Sequence, residues 1–281
     1  MESTESSRAS REAILFLALT LALSYLVFWG PLAVFQITAI SFVSNQTGPP
    51  WAIALYIVGG FVPSGVAVAL VGLLEGKPGL RGLWSRITQF RIGWPIYVAT
   101  VGIVVFGTIC QVALNNLLGH IFDLKLFLIQ LPSLLPLLVL GPLSEELGWR
   151  GYAQGRLQTR WSPQVSAVIV GSVWAFWHLP LFFMPGTSQH ELNIPFIGFL
   201  LGILSMSLLF AWQYNHTGGS IWAAIFFHWI YTYAGQVVAT GVTRSSIYNW
   251  LEYMPYVLAA ATVVIAWKRQ LNHRLAAPSR L

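Results

Sequence analysis

Eight long apolar runs alternate with short polar segments along the chain, at residues 13–38, 51–74, 94–118, 127–149, 164–184, 194–214, 219–240 and 253–267. A helix needs about 20 residues to cross roughly 30 Å of hydrocarbon, and within lipid it satisfies its own backbone hydrogen bonds. The pattern predicts an all-α fold: a polytopic membrane helix bundle of about eight transmembrane helices, forming one transmembrane domain over 13–267. The last run is short, and the fourth is interrupted by Gly141-Pro142. The first run is too long for the apolar stretch of a signal peptide and lacks a cleavage site, so it reads as a retained span. No internal repeat of the kind that marks many transporters is visible.

Three segments depart from this pattern. Residues 1–12 form a polar N-terminal tail expected to fray, and 268–281 form a basic tail. Between the second and third runs, over 78–93, Leu80, Leu83, Trp84, Ile87 and Phe90 recur at helical spacing while Arg81 and Arg86 fall off that stripe. This predicts a basic amphipathic helix on the membrane surface.

Composition sharpens the picture. The 281 residues are 56% hydrophobic and only 9% charged, with a mean hydropathy of +0.67, against roughly a quarter charged in soluble domains. The net charge of +6 does not signal nucleic acid, because the positive residues follow the loops. Alternate loops and both tails gather Arg8 and Arg11; Lys77, Arg81, Arg86 and Arg91; Arg150, Arg156 and Arg160; and Lys268, Arg269, Arg274 and Arg280. The opposite side holds only Lys125 and Arg244. Lys and Arg concentrate on the cytoplasmic side of membrane proteins, so both the N and C termini are expected in the cytoplasm. The localisation implied is multi-pass integral membrane, the plasma membrane if the cell is bacterial, with the lipid bilayer as a partner and no nucleic acid. Cys110 is the single cysteine, which excludes an intrachain disulfide and a thiolate metal cluster. Of two N-x-Thr sequons, Asn215 falls on the cytoplasmic side and Asn45 matters only in a glycosylating cell.

Of nine acidic residues, only the adjacent Glu145 and Glu146 lie well inside an apolar run. Charge at membrane depth is expensive and usually functional. Gly141 and Pro142 are expected to break or kink the helix just before the pair, with Ser144 capping the helix that restarts. Glu146 and Arg150 are four apart, acid first, a spacing that favours an ion pair fixing helix packing. Glu145 has no basic residue at i+3 or i+4, so in a low-dielectric pocket it suits the role of general base. Two of the six histidines, His178 and His228, fall within apolar runs. Two histidines with one or two glutamates can bind a metal with an open position, or act directly by orienting water and stabilising an oxyanion.

Three motifs then resemble a family. Glu145-Glu-Leu-Gly-Trp-Arg150 fits a Glu-Glu-x-x-x-Arg motif, Trp174-x-x-x-His178 resembles an aromatic-x-x-x-His motif that more often begins with Phe, and His228 fits the histidine of a His-x-x-x-Asn/Asp motif. In order and placement they resemble the CPBP intramembrane proteases, the group of type II CAAX prenyl endopeptidases, bacteriocin-processing and abortive infection proteins. The resemblance covers roughly 126–240, the expected catalytic core. The departure is Thr232, four after His228, where the family has Asn or Asp; it keeps a hydroxyl but loses the amide or carboxylate.

The resemblance implies peptide-bond hydrolysis inside the bilayer on a membrane-anchored, CAAX-like protein or peptide. Glu145, Glu146, His178 and His228 are the implied catalytic residues, and Arg150, Trp174 and Thr232 support them. Two cofactor readings stay open. One is a divalent metal such as zinc on His178, His228 and Glu145; the other is metal-free glutamate/histidine catalysis. The alternative function is a non-catalytic membrane protein, a transporter or an immunity partner, that retains the polar cluster.

Overall fold

The computed structural model describes residues 2–41, 46–130, 132 and 137–276, and among these it is helical, with one isolated bridge between Ile40 and Thr47. Asn45 and residues 277–281 of the basic tail lie outside the described residues. Helix α1 (Glu2–Leu23) passes through a π-helical turn into α2 (Trp29–Val34). Its start at Glu2 includes the stretch expected to fray. Ser6 donates to the Thr159 carbonyl and Arg8 pairs with Glu12 there. Helix α3 (Pro50–Leu74) opens on a proline, whose missing N–H would be unpaired in a first turn anyway. Gly76, at φ 64°, then turns the chain into α4 (Gly76–Ile87), which covers the first part of the amphipathic helix expected over 78–93 and ends before Phe90.

Helix α5 (Trp94–Leu117), the short α6 (Leu124–Gln130) and α7 (Leu137–Gly148) follow, then a π-helical segment (Trp149–Gln154) and a single turn, α8 (Gly155–Leu157). The chain continues as α9 (Pro163–Trp177), α10 (Ser188–Glu191), α11 (Phe196–His216), α12 (Ile221–Gly241), α13 (Ser246–Leu251) and α14 (Met254–Ala276).

Five helical stretches are long and apolar enough to cross a membrane: Ser6–Val34, Pro50–Leu74, Trp94–Leu117, Phe196–His216 and Ser246–Trp267. The eight-span count and the cytoplasmic placement of the termini stay expectations of the sequence. The fourth, fifth and seventh apolar runs, which carry the candidate chemistry, are outside that set: the fourth includes residues that are not described, α9 has only 15 residues, and α12 is diluted by His228, Thr232 and Gln236.

The break expected before the glutamates is not there. α7 runs through Gly141 and Pro142, and Ser144 Oγ donates to the Gly141 carbonyl at 2.7 Å instead of capping a new helix. The irregularity comes after the pair, in the π-helical Trp149–Gln154. Two contacts with α3 grip α7 at the glutamates. Ser64 Oγ donates to the Leu143 carbonyl at 2.9 Å. Gly148 lies so close that a Cβ there would sit 2.7 Å from the Pro63 carbonyl oxygen. α12 packs on α7, while α9 runs along α11 and α11 along α14. The π-helical segment sits in the main core, where Phe16 meets both Trp149 and Tyr152.

Candidate active site

Adjacent positions on α7 send the two glutamates into different surroundings. Glu146 is fully buried. Both of its oxygens lie 3.1 Å from Arg150 Nη1, and Oε1 also meets His228 Nδ1 at 2.7 Å. The i, i+4 ion pair read from the sequence is therefore formed, and a histidine joins it. Arg150 is also fully buried; its guanidinium stacks over Phe210 at 3.9 Å and Trp174 at 4.7 Å. Those ring faces accommodate a cation whose Nε and Nη2 have no hydrogen-bond partner among the described residues.

Glu145 meets two indoles. Trp149 Nε1 and Trp174 Nε1 both donate to its Oε2, at 3.2 and 2.5 Å, so neither bond falls on Oε1. Glu145 keeps 7% of its surface exposed, whereas Glu146 keeps none.

His178 does not sit inside a span, as the apolar run 164–184 suggested. α9 ends at Trp177, His178 is its C-terminal cap, and the chain continues as a 3-10 turn over Leu179–Phe182. Pro180 cannot extend the α-helical ladder, which accounts for the early stop. The His178 Nδ1 lies 2.9 Å from the Trp174 carbonyl oxygen. A carbonyl only accepts, so Nδ1 carries the proton and Nε2 is left for other partners. In His228, the Glu146 carboxylate fixes Nδ1 as the donor in the same way. The Trp174 ring is near both imidazoles, 6.1 Å from His178 and 5.4 Å from His228, centroid to centroid.

A cavity of about 190 Å³ lies beside these groups, lined by Trp174, His178, His228 and Thr232. Thr232 thus offers its hydroxyl where the resembled motif has an amide or carboxylate. Neither glutamate lines the cavity; Glu145 is bonded to Trp174 and Glu146 to His228, and by hydrogen bonds Arg150 reaches it only through Glu146.

The metal set does not fit in the same way. Among the described residues, no group of three or more His, Cys, Asp or Glu side chains could hold a metal ion, so His178, His228 and Glu145 do not form a ready three-ligand site.

Sequence reasoning missed three participants. Trp149, four residues after Glu145, was legible at i+4 spacing, but only basic partners were sought there. Arg86 and the Arg244–Glu252 pair, bonded at 3.0 Å on the cavity wall, had no local signal.

An all-helical bundle that buries a Glu–Arg–His cluster beside a histidine-lined cavity is the setting of a polar site among apolar helices, and the segment that holds it is similar to known proteins. Residues 127–234, which hold every candidate residue, match the family described as type II CAAX prenyl endopeptidase Rce1-like. A curated relative, CAAX prenyl protease 2 of Methanococcus maripaludis, is 32% identical over 143 residues, which are 50% of this chain and 51% of the relative. The chain therefore matches about half the length of that relative. Over this segment the likeness to the CAAX prenyl endopeptidases is shown, and with the apolar helices it makes the chain a multi-pass integral membrane protein.

Proposed function

We propose that the chain is an intramembrane endopeptidase that hydrolyses a peptide bond near the C-terminus of a membrane-anchored, CAAX-type prenylated protein. The observation that carries this reading is the asymmetry of the two glutamates. Glu145 has an oxygen free of the indole bonds, while Glu146 is engaged by both Arg150 and His228.

In this reaction Glu145 Oε1 takes a proton from a water molecule as the water oxygen attacks the scissile carbonyl carbon. The carbonyl π pair moves onto oxygen. As the tetrahedral intermediate collapses, the C–N bond breaks and Glu145 returns the proton to the leaving nitrogen, acting first as base and then as acid. His178 and His228 line the cavity, with Nδ1 occupied and Nε2 left for substrate and water. There each accepts from the water and holds it in line or, when protonated, donates to the oxyanion. Glu146, Arg150 and the Trp174 carbonyl set the ring orientations.

The test is cleavage of a membrane-anchored peptide in proteoliposomes, comparing wild type with Glu145→Gln. The amide keeps the shape but cannot accept the proton, so the rate should fall by roughly 10²- to 10⁴-fold. Equal rates would remove Glu145 from the chemistry. A wild-type protein with no activity would favour the transporter or immunity-partner reading. Exhaustive chelation should leave the rate unchanged. Loss that zinc restores would instead place a metal on His178, His228 and Glu145.

A further inference from the structure

Helix α4 has two faces, and the rest of the protein uses one of them. Leu83 is buried in a small cluster with Ile221 and Ile225, and Arg86 donates to the carbonyls of Gly219, Gly151 and Arg150. The other face carries Lys77, Arg81 and Trp84, four and three positions apart and all exposed. Residues spaced this way lie one above another on a helix. Trp84 is 65% exposed, far more than an indole placed for packing.

The two cations on this face have no anion. Arg81 Nε meets the Lys77 carbonyl at 3.5 Å, and neither side chain forms an ion pair among the described residues. Glu75, the acid nearest in sequence, is paired with Arg156 instead. Four helical steps are about 6 Å, so one phosphate group between the two side chains can meet both. Beside the cations the surface is apolar. α4 folds back on the end of α3, where Leu80 approaches Gly72, and Leu73 and Leu74 are left 82% and 42% exposed. α3 is one of the stretches long enough to cross a membrane, so its end marks the boundary between hydrocarbon and water. An anion with an apolar tail suits this combination. A soluble anion or an acidic loop would leave the leucines and the indole uncovered.

We propose that this face of α4 binds an anionic phospholipid. The phosphate sits between Lys77 and Arg81, the Trp84 indole lies at headgroup level, and the acyl chains run along the leucines at the end of α3. The bound lipid holds α4 in place, and with it the Arg86 bonds on the opposite face. The site is separate from the histidine-lined cavity and does not depend on the endopeptidase reading.

The probe is the purified protein in an uncharged maltoside detergent, titrated with phosphatidylglycerol or with phosphatidylcholine of the same acyl chains. Near saturation, phosphatidylglycerol should raise the apparent Tm by roughly 5 °C and phosphatidylcholine by much less. Lys77→Gln with Arg81→Gln should keep the lipid-free Tm and weaken phosphatidylglycerol binding by roughly 30-fold, about fivefold for each cation near a headgroup. Arg11→Gln with Arg160→Gln removes the same charge from exposed positions elsewhere and should keep the wild-type response. Equal shifts with the two lipids would overturn the site. So would an equal loss in the second double variant, which would reduce the effect to net charge. Glycerol phosphate, the headgroup without chains, should give no shift; one as large as the lipid's would leave the leucines no part and overturn the lipid.

Discussion

Glu146 is the residue whose removal should damage the fold most directly. It pairs with a fully buried Arg150 that has no other acidic hydrogen-bond partner among the described residues. Unpairing a buried ion costs on the order of 3–5 kcal/mol. Glu146→Gln should therefore lower the apparent Tm in detergent by roughly 10 °C. Glu146→Gln combined with Arg150→Met should recover part of that loss, since an apolar chain can fill the space between the Phe210 and Trp174 rings. An unchanged Tm in the single variant would mean that the pair is not structural. The sequence showed this pair because helical i, i+4 contacts are local. It did not show that His228 completes the cluster, because that contact spans 82 positions.

At the scale of elements, the site depends on how α7 ends. The π-helical segment after Gly148 presents carbonyls to a neighbouring helix, and Arg86 of α4 takes them up. Arg86 donates to the carbonyls of Gly219, Gly151 and Arg150 at 2.8, 2.9 and 3.1 Å. The hydrophobic stripe of α4 was readable, and it placed Arg86 off the stripe, as if toward lipid headgroups. Its partners lie 64 to 133 positions away, so only the fold shows that this arginine latches the amphipathic helix to the end of the glutamate helix. The same limit explains Pro142. Its ring was readable as a breaker, but the grip of α3 on Leu143 and Gly148, which keeps α7 helical through it, comes from 79 positions away at Ser64. Arg86→Gln should lower the apparent Tm by roughly 5 °C, since hydrogen bonds from a charged donor are worth about 1.5–3 kcal/mol. Cleavage should fall with it. A variant with wild-type Tm and turnover would make the latch dispensable.

Across the whole molecule, hydrogen bonds sort the loops into two sets that match the sorting of charge. Arg86 and Gln89 reach Gly219 and Thr217, Arg156 pairs with Glu12 and Glu75, and Ser6 reaches Thr159, so the N-terminal helix and the loops near 75–93, 150–160 and 217–220 share one end. At the other end Asp123 bonds to Gly241, Thr243 to Asn115, Asn249 to Leu192 and Gln36 to Phe183. The first set holds most of the arginines, and the second holds Lys125 and Arg244. Positive residues mark the cytoplasmic face, so the first end should be cytoplasmic and the Arg244 part of the cavity should lie toward the opposite face. The exposed positions 77, 160 and 125 test this, each changed to cysteine in a background with Cys110→Ser. An impermeant maleimide added to intact cells should label position 125 and spare 77 and 160 until the membrane is opened. Labelling of 77 and 160 but not 125 would invert the protein in the membrane. The two ends would stay as sorted.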